Sequence, residues 1–504
     1  MIFDASTWPG GLTLETDLVV VGSGAGGMAA AVAAAESGVR CIVLEGGEYL
    51  IPADMSQREE QMLPRIFQDS GNRKTDDRAV TIHQGRGVGG STLHNLNLCK
   101  RIPTAIRTNW ARQHGLTHLS MARWDALYAE VEAMLRVAAV EPERWNRHNR
   151  LLKEGCDALG FRGGGLQHNR SGCLGSGFCE LGCRYNAKNN AFKVLLGRAL
   201  ARDVEVVTNC QAVRVVHEAG AARGVEAVAC DPVTRRPVSR VLVKAKRVCL
   251  AASATGTAAL LLRSDITDES RLTGNALRVH PAVVMAGDFD EEIRAWEGIP
   301  QSYECTQFLE LDRDAGHRVW VVPAFAHPIG TATLMPGYGG MHRALMERYA
   351  HLAVFSAMIH DVSEGQVRPD GDHGLSLHYW PNASDRAELG LGLWACAKLL
   401  LAAGARRLLL PTRVPRVIER GDAIDWLKTL TIERGELDVV AVHPMSTVPM
   451  SDDPRSGAVD SRGKHHRMEN LWVADGSLFP TSIGVPPQLS IYALGLHVGR
   501  ALSA

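Results

Sequence analysis

The stretch that most constrains the fold of this chain is residues 17–45, DLVVVGSGAGGMAAAVAAAESGVRCIVLE. Its apolar runs, at 18–21 and 41–44, are typical of buried parallel strands. The alanine-rich segment between them favours a helix. The turn before that helix contains Gly22, Gly24 and Gly27. Strand, glycine turn, helix, strand and a final acid, in this order, predict a dinucleotide-binding βαβ unit.

Each part of this unit has a physical purpose. Gly22 permits the tight turn, Gly24 lets the backbone approach a pyrophosphate at the helix N-terminus, and Gly27 allows close packing. Glu45 follows the second strand, where a carboxylate can accept hydrogen bonds from both ribose hydroxyls and repel a 2′-phosphate.

Composition excludes several classes of function. Lys plus Arg equals Asp plus Glu, 55 each, so net charge favours neither nucleic acid nor an acidic membrane surface. We find no apolar run of about 18 residues and no secretory signal at the N-terminus. Eleven cysteines, several in apolar strands, indicate a reducing compartment. We therefore expect a cytoplasmic protein without a membrane span.

A second glycine-rich segment is 85–95, GRGVGGSTLHN. So many glycines followed by hydroxyl groups make a loop that can approach another molecule closely. The segment resembles the first signature of the glucose–methanol–choline (GMC) flavin oxidoreductases. By this resemblance the loop lies along the pyrophosphate and flavin of FAD. The residues that the resemblance assigns to the cofactor here are Gly89, Gly90, Ser91, Asn95 and Asn97.

His94 falls at the spacing where some GMC branches attach FAD covalently. A ring nitrogen can add at the flavin 8α carbon, so a His94–FAD bond is one interpretation. The other is a histidine that only packs against the edge of the flavin.

A cysteine-rich loop at about 165–190 has three interpretations. Cys173, Cys179 and Cys183 have the spacing of a bacterial ferredoxin run in which Ser176 replaces one thiolate. The thiolates could hold an iron–sulfur cluster, or zinc with His168 as a fourth ligand. We favour a structural loop with free thiols or a disulfide, because a ligand is missing and GMC relatives carry a comparable loop.

Alternating strands follow at 204–216 and 221–228, and a strand–turn–helix at 241–264 resembles the second GMC signature. By this resemblance, the backbone of Ala212 and Val213 lies beside the adenine of FAD.

Residues 278–438 have a different sequence pattern, with scattered aromatic side chains and strand-like alternation. The histidines of this part (His327, His342, His351 and His360) lack metal-ligand spacing, which favours a substrate-binding sheet with capping helices.

The segment 439–450, VVAVHPMSTVPM, resembles the family motif HPxGTxxM, which places His443 in front of flavin N5. An alcohol loses its hydroxyl proton to a base while hydride leaves its carbon, and histidine, with an ordinary pKa near ~6.5, suits that role. We therefore predict that His443 is the catalytic base.

The segment 471–480, LWVADGSLFP, resembles the last flavin motif of the family. By this resemblance Asp475 and Gly476 lie close to the cofactor. A final helix is predicted from Gln488, with its N-terminal amides directed at the flavin. The family has Asn or His before this helix as a second active-site residue that bonds the substrate oxygen. Pro486 stands there in this chain, and proline offers no donor.

The sequence thus predicts an α/β fold with a discontinuous Rossmann-like FAD-binding domain (1–277 and 439–504). A substrate-binding α+β domain with an antiparallel sheet (278–438) completes it. The predicted reaction is oxidation of a moderately apolar alcohol by hydride transfer to FAD. The electron acceptor, O₂, a quinone or a protein, stays open. The alternative is a flavoenzyme with altered chemistry, such as a lyase, isomerase or desaturating dehydrogenase, because Pro486 removes a substrate-binding group.

Overall fold

The computed structural model describes residues 1–313, 315–325, 327–335, 337–414 and 416–504. Its strands are β1 (Ile2–Asp4), β2 (Leu12–Val21), β3 (Cys41–Leu44), β4 (Val80–Ile82), β5 (Val137–Ala139), β6 (Gly163–Gly165), β7 (Gln167–Asn169), β8 (Glu205–Thr208), β9 (Cys210–Glu218), β10 (Ala221–Cys230), β11 (Pro237–Leu250), β12 (Pro281–Asp288), β13 (Tyr303–Cys305), β14 (Val319–Pro323), β15 (Leu352–Ile359), β16 (Gln366–Asp370), β17 (Gly374–His378), β18 (Arg407–Leu410), β19 (Arg416–Glu419), β20 (Val439–Ala441) and β21 (Leu471–Val473). Its helices are α1 (Ala25–Glu36), α2 (Glu59–Ile66), α3 (Thr104–His114), α4 (Met121–Leu135), α5 (Arg147–Leu159), α6 (Gly197–Leu200), α7 (Ser253–Arg263), α8 (Pro328–Leu334), α9 (Gly339–Met346), α10 (Ala383–Ala402) and α11 (Gln488–Ala501).

The first sheet carries the predicted βαβ unit. Its order is β1-β8-β3-β2-β11-β10-β9, and β21 pairs with β11. In this spatial order the first five strands, β1, β8, β3, β2 and β11, run parallel, whereas β10 and β9 form an antiparallel extension. Strand β3 occupies the predicted residues, and its side chains are buried, as a strand covered on both faces requires. The carboxyl ends of β2 and β3 therefore meet at one edge, beside the glycine turn.

The second sheet is mostly antiparallel, with the order β19-β18-β12-β15-β14-β13-β6. Helix α10 packs on β15 and β12 and covers one face. Strand β20 pairs with β12 and is also parallel to β4. Two segments that the sequence assigned to the FAD-binding domain, β4 and β20, thus belong to this sheet, and the chain changes sheets between β20 and β21. The exact domain boundary at 438/439 stays a prediction.

Helices α1 and α11 pack closely against each other. A Cβ on Gly495 would lie 2.4 Å from the Gly26 carbonyl oxygen, and one on Gly499 would lie 2.5 Å from that of Ala30. The contact therefore needs glycine at both of these positions of α11. Because the contacts advance in the same direction along both helices, the two helices are parallel. Their electropositive N-termini point to the same side of the first sheet.

Candidate flavin and substrate site

The glycines of the two predicted loops are packed against backbone. A Cβ on Gly22 would lie 2.2 Å from the Ala251 oxygen, and one on Gly27 would lie 2.0 Å from the Gly22 oxygen. Gly24 and Gly90 face each other, since a Cβ on Gly24 would lie 3.9 Å from the Gly90 Cα. We call Gly22–Gly27, Glu45 and Gly85–Gly90 the glycine cradle.

Glu45 joins the parts of the glycine cradle. Its Oε1 accepts hydrogen bonds from the amides of Gly47 (2.9 Å) and Gly87 (3.1 Å). Its Oε2 accepts from the amide and the hydroxyl of Ser23, at 3.1 and 2.6 Å. Both oxygens thus have protein donors, and a ribose hydroxyl would have to share them. Sequence reasoning missed Ser23, because position 23 is a free position in the GxGxxG pattern.

The loop after the glycine cradle contains buried polar atoms without partners among the described residues. They are His94 Nε2, Asn95 Oδ1 and Asn97 Oδ1. Such atoms are costly unless a ligand or water satisfies them. Asn97 also has a φ of 69°, a conformation that Asn tolerates. The Ser91 hydroxyl accepts from the Gly85 amide at 2.8 Å and so also holds the loop itself, while its predicted bond to the cofactor stays a prediction.

A buried lysine supports this loop from behind. Lys188 Nζ donates to the carbonyl oxygens of Leu93 (2.8 Å), Asn95 (2.7 Å) and Cys179 (3.2 Å). Burial lowers the pKa of Lys188 to about 8. His94 packs on Phe67 with ring centroids 4.1 Å apart, and burial holds the pKa of His94 well below its usual value. The imidazole is therefore neutral.

The predicted adenine segment lies beside Glu45. The Cys210 amide donates to the Glu45 carbonyl oxygen at 2.9 Å, so β9 begins where β3 ends. In the antiparallel register, Arg214 pairs with Glu226 and Ala212 pairs with Ala227. Val213 is consequently a bulged residue whose backbone groups lie outside the ladder, as a segment that reads a ligand through its backbone would require.

The C-terminal cofactor candidates contact protein groups in the structure. Asp475 Oδ2 accepts from the Thr257 hydroxyl at 2.5 Å, and its Oδ1 accepts from the Ser477 amide at 2.9 Å. Burial raises the pKa of Asp475. Gln488 Nε2 donates to the Leu98 carbonyl oxygen at 2.6 Å, and its Oε1 accepts from Asn95 at 2.8 Å. These side chains therefore shape the site by bonding to its walls.

The described residues fit a flavin dinucleotide. The glycine cradle leaves backbone at the N-terminus of α1 free of side chains, and the first amides of a helix lack intrahelical partners. The three unpartnered atoms of loop 94–97 lie directly after the cradle. The Ser446 amide donates to the Gly476 carbonyl oxygen at 3.0 Å, which holds the turn after His443 against the predicted flavin motif that contains Gly476.

His443 meets a histidine that the sequence did not single out. Its Nδ1 lies 3.2 Å from Nδ1 of His280, and the two rings are perpendicular with centroids 5.3 Å apart. His280 Nε2 accepts from the Gly484 amide at 2.9 Å. His360 lies on the other side, where its Nδ1 would be 3.0 Å from a Cβ on Gly484. We call His280, His360, His443, Asp361 and Gly484 the histidine pocket.

Asp361 holds the backbone of the histidine pocket. Its carboxylate accepts from the amides of Val279 (3.0 Å) and His280 (3.2 Å). It also accepts from the hydroxyls of Tyr379 and Ser482, both at 2.8 Å. The segment before Pro486 is therefore tied to β12 through buried side chains. His280 lies against His443 although the two residues are 163 positions apart in the chain.

Burial makes the imidazoles of the histidine pocket neutral. It lowers the pKa of His443 to about 3 and that of His360 to about 4, and holds the pKa of His280 well below its usual value. The sequence argument used an ordinary histidine pKa for His443, and that value is wrong for this environment. A neutral ring is nevertheless the form that can exchange a proton with a substrate.

The iron–sulfur and zinc interpretations of the cysteine-rich loop find no support. Among the described residues, no group of three or more His, Cys, Asp or Glu side chains could hold a metal ion. Cys173 Sγ accepts from the Gly175 amide, and Cys183 Sγ accepts from the Ala187 amide. His168 Nε2 is bonded to the Gln301 carbonyl oxygen. All cysteines within the described ranges are free thiols, so none of them forms a disulfide there.

The histidines of the predicted substrate domain also have structural surroundings. His327 stacks on Phe178, His342 Nε2 lies 3.0 Å from the Ala332 oxygen, and His351 Nδ1 lies 2.9 Å from the Glu291 oxygen. Of the four histidines named in this part of the sequence, His360 is the one that lies in the histidine pocket. No helix within the described ranges has the length and apolar character needed to cross a membrane.

Comparison with protein families and individual proteins agrees with this geometry. The N- and C-terminal family models of the GMC oxidoreductases match residues 18–282 and 361–495. The chain is 33% identical over 489 residues to an uncharacterised GMC-type oxidoreductase of Mycobacterium tuberculosis, covering 96% of this chain and 75% of that protein. It is 25% identical over 521 residues to the Arabidopsis thaliana long-chain-alcohol oxidase FAO3, covering 98% and 69%.

Solved structures have the same fold. Pyridoxine 4-oxidase from Mesorbium loti superposes with a TM-score of 0.72 at 18% identity, covering 96% of this chain and 99% of that one. Formate oxidase from Aspergillus oryzae superposes with a TM-score of 0.71 at 15% identity, covering 97% and 98%. The predicted fold class and family resemblance are thereby confirmed.

Proposed function

Because the chain belongs to the GMC oxidoreductase family, we propose that it is an FAD-dependent enzyme that oxidises the CH–OH group of a small-molecule alcohol. When bound, FAD supplies the hydride acceptor of this reaction at flavin N5. The observation that supports the proposal most is the position of His443, a neutral imidazole beside the turn that contains Gly476.

His443 is the proposed base that takes the hydroxyl proton of the alcohol. Its Nδ1 contacts His280, whereas its Nε2 has no protein partner among the described residues and belongs to a half-buried side chain. A neutral histidine with one free nitrogen suits proton exchange with a hydroxyl group.

The glycine cradle and loop 94–97 would hold the dinucleotide. The amides at the start of α1 suit the pyrophosphate, and the bulge at Val213 suits the adenine. His94 Nε2 is unpartnered and neutral, which is the state a nitrogen needs to form a covalent bond with the flavin. We extend the proposal to this bond: a C–H bond at the flavin 8α carbon would break as the C–N bond forms, the proton would go to solvent, and the two electrons would pass through the flavin to the enzyme's electron acceptor. Acid denaturation should leave flavin absorbance on the polypeptide, and complete release of flavin would exclude the link.

The function is tested by anaerobic mixing of the holoenzyme with a long-chain primary alcohol or with pyridoxine, the substrate classes named by relatives. Bleaching of the flavin absorbance is the expected result. His443→Ala should keep bound flavin and reduce the bleaching rate by on the order of 10². The exposed His373 provides a matched control, and His373→Ala should bleach at the normal rate. Equal rates in both variants would refute the base assignment.

A second candidate function is supported by Pro486. A site without the usual second side chain could carry out lyase, isomerase or desaturating chemistry on the same flavoprotein frame. Product formation without bleaching would favour this candidate over alcohol oxidation. Measuring hydrogen peroxide under air, and reduction of an added quinone, would identify the electron acceptor.

A further inference from the structure

The proton positions of the histidine pocket follow from one backbone amide. The Gly484 N–H donates to His280 Nε2 at 2.9 Å, and an amide nitrogen can only donate. His280 Nε2 must therefore present a lone pair. Since burial keeps His280 neutral, its single ring proton lies on Nδ1.

The contact between the two imidazoles then determines the tautomer of His443. The two Nδ1 atoms are 3.2 Å apart, which requires one proton between them. That proton belongs to His280, so His443 Nδ1 is the acceptor. A neutral His443 must in consequence carry its own proton on Nε2, the nitrogen without a protein partner among the described residues.

We propose that His280 is a positioning residue that fixes His443 as an Nε2–H hydrogen-bond donor to the substrate oxygen, in place of the side chain that Pro486 lacks. This inference rests on the proposed function, since it assigns the substrate oxygen to His443 Nε2. It names a residue from the second sheet, at the start of β12, as part of the active-site machinery.

Other contacts keep His280 in this role. Asp361 accepts from the His280 amide at 3.2 Å, and it also accepts from the Ser482 hydroxyl two residues before Gly484. One carboxylate thus holds both the backbone of His280 and the segment that leads to the Gly484 amide, which determines the tautomer of His280. His360 lies beside the same glycine, but among the described contacts it has no hydrogen bond to His443.

The arrangement also affects the base role of His443. To accept a proton, His443 Nε2 needs a free lone pair, so the ring proton of His443 must lie on Nδ1. His280 Nδ1 must then be the acceptor, and the proton of His280 lies on its Nε2. Two N–H groups would then face each other across the 2.9 Å between His280 and Gly484. The donor form is consequently the more stable one, and proton abstraction proceeds from the less stable form.

Neutron diffraction of the perdeuterated holoenzyme tests the proposal directly. We expect deuterium on Nδ1 of His280 and on Nε2 of His443, with Nδ1 of His443 bare. Deuterium on Nδ1 of His443 and on Nε2 of His280 would overturn the proposal. This measurement uses the unaltered protein, so it does not depend on the folding of a variant.

Nitrogen-15 spectra of histidine-labelled holoenzyme provide a second test. The Nε2 resonance of His443, assigned by its loss in His443→Asn, should have the shift of a protonated nitrogen. In His280→Phe it should move toward the average of the two tautomers, whereas in the matched control His360→Phe it should stay in place. An unchanged resonance in His280→Phe would contradict the positioning role.

The outcome is separable from that of the proposed function. Deuterium on His443 Nε2 without flavin bleaching by any alcohol would keep the positioning role of His280 within the pocket and reject alcohol oxidation. Bleaching by an alcohol with deuterium on His443 Nδ1 would keep the oxidation and reject His280 as the residue that fixes the donor.

Discussion

The glycine cradle and the histidine pocket are built in different ways. The cradle consists of short sequence motifs whose glycines touch backbone, as where a Cβ on Gly26 would lie 1.7 Å from the Ala474 oxygen. The pocket gathers single side chains from distant segments around the buried carboxylate of Asp361. The glycine cradle depends on the absence of side chains, and the histidine pocket depends on hydrogen bonds between side chains and backbone.

Because of this difference, we expect substitutions to destabilise the two regions in different ways. Where a cradle glycine is packed against backbone, as at Gly22, Gly26 and Gly27, it cannot accept even a methyl group, because close-packed backbone has no room to relax. A polar network fails when a partner is removed, because the remaining buried donors lose their hydrogen bonds. Three substitutions compare the two regions, in order of expected effect.

The largest effect is expected from Asp361→Ala in the histidine pocket. It leaves two buried amides and two hydroxyls without their acceptor, and each such group costs about 1–3 kcal/mol, so we expect a loss of about 4 kcal/mol. Urea denaturation measures it. Tyr379→Phe removes a single donor and should cost only about 1 kcal/mol. Equal losses in both variants would show that the network is not organised around Asp361.

In the glycine cradle, Gly26→Ala should destabilise the protein by about 3 kcal/mol and release FAD, since overpacking forces the backbone to move. The free energy of unfolding and the bound flavin per chain are the measurements. Gly197→Ala is the matched control, because its Cβ would meet nothing within 4 Å and the residue has helical dihedral angles. It should be neutral or stabilising by up to about 1 kcal/mol. Normal flavin content in Gly26→Ala would refute the steric role.

The smallest effect concerns Lys188, the buried cation behind loop 94–97. Its pKa is about 8 in the folded protein against 10.5 as the ordinary value, so between these values the unfolded chain binds more protons. Stability from this group therefore rises with pH through that window. Compared with Lys188→Met, the wild-type protein should gain up to about 3 kcal/mol from pH 8 to 10.5. Parallel stability curves for the two proteins would show that Lys188 does not titrate there.

Much of the cradle could be predicted from the sequence because its information is local. The spacing of Gly22, Gly24 and Gly27 places a turn, a helix and two strands without reference to the rest of the chain, and these elements are observed. The ionisation state of His443 could not be predicted, because it depends on how deeply distant segments bury the ring. The protein partners of Ser91 and Gln488 could not be predicted for a similar reason, since hydrogen bonds between distant segments are fixed only by packing.

The sequence by itself determined the dinucleotide-binding unit, the family and the approximate place of His443, since each is encoded in contiguous residues whose backbone demands are local. Only the tertiary structure decided that His280 lies against His443, that Asp361 ties the His280 backbone to Ser482, and that the cysteine-rich loop does not gather a metal site among the described residues. The physical reason is that a hydrogen bond across 163 residues depends on sheet register and on the crossing of the chain between two sheets.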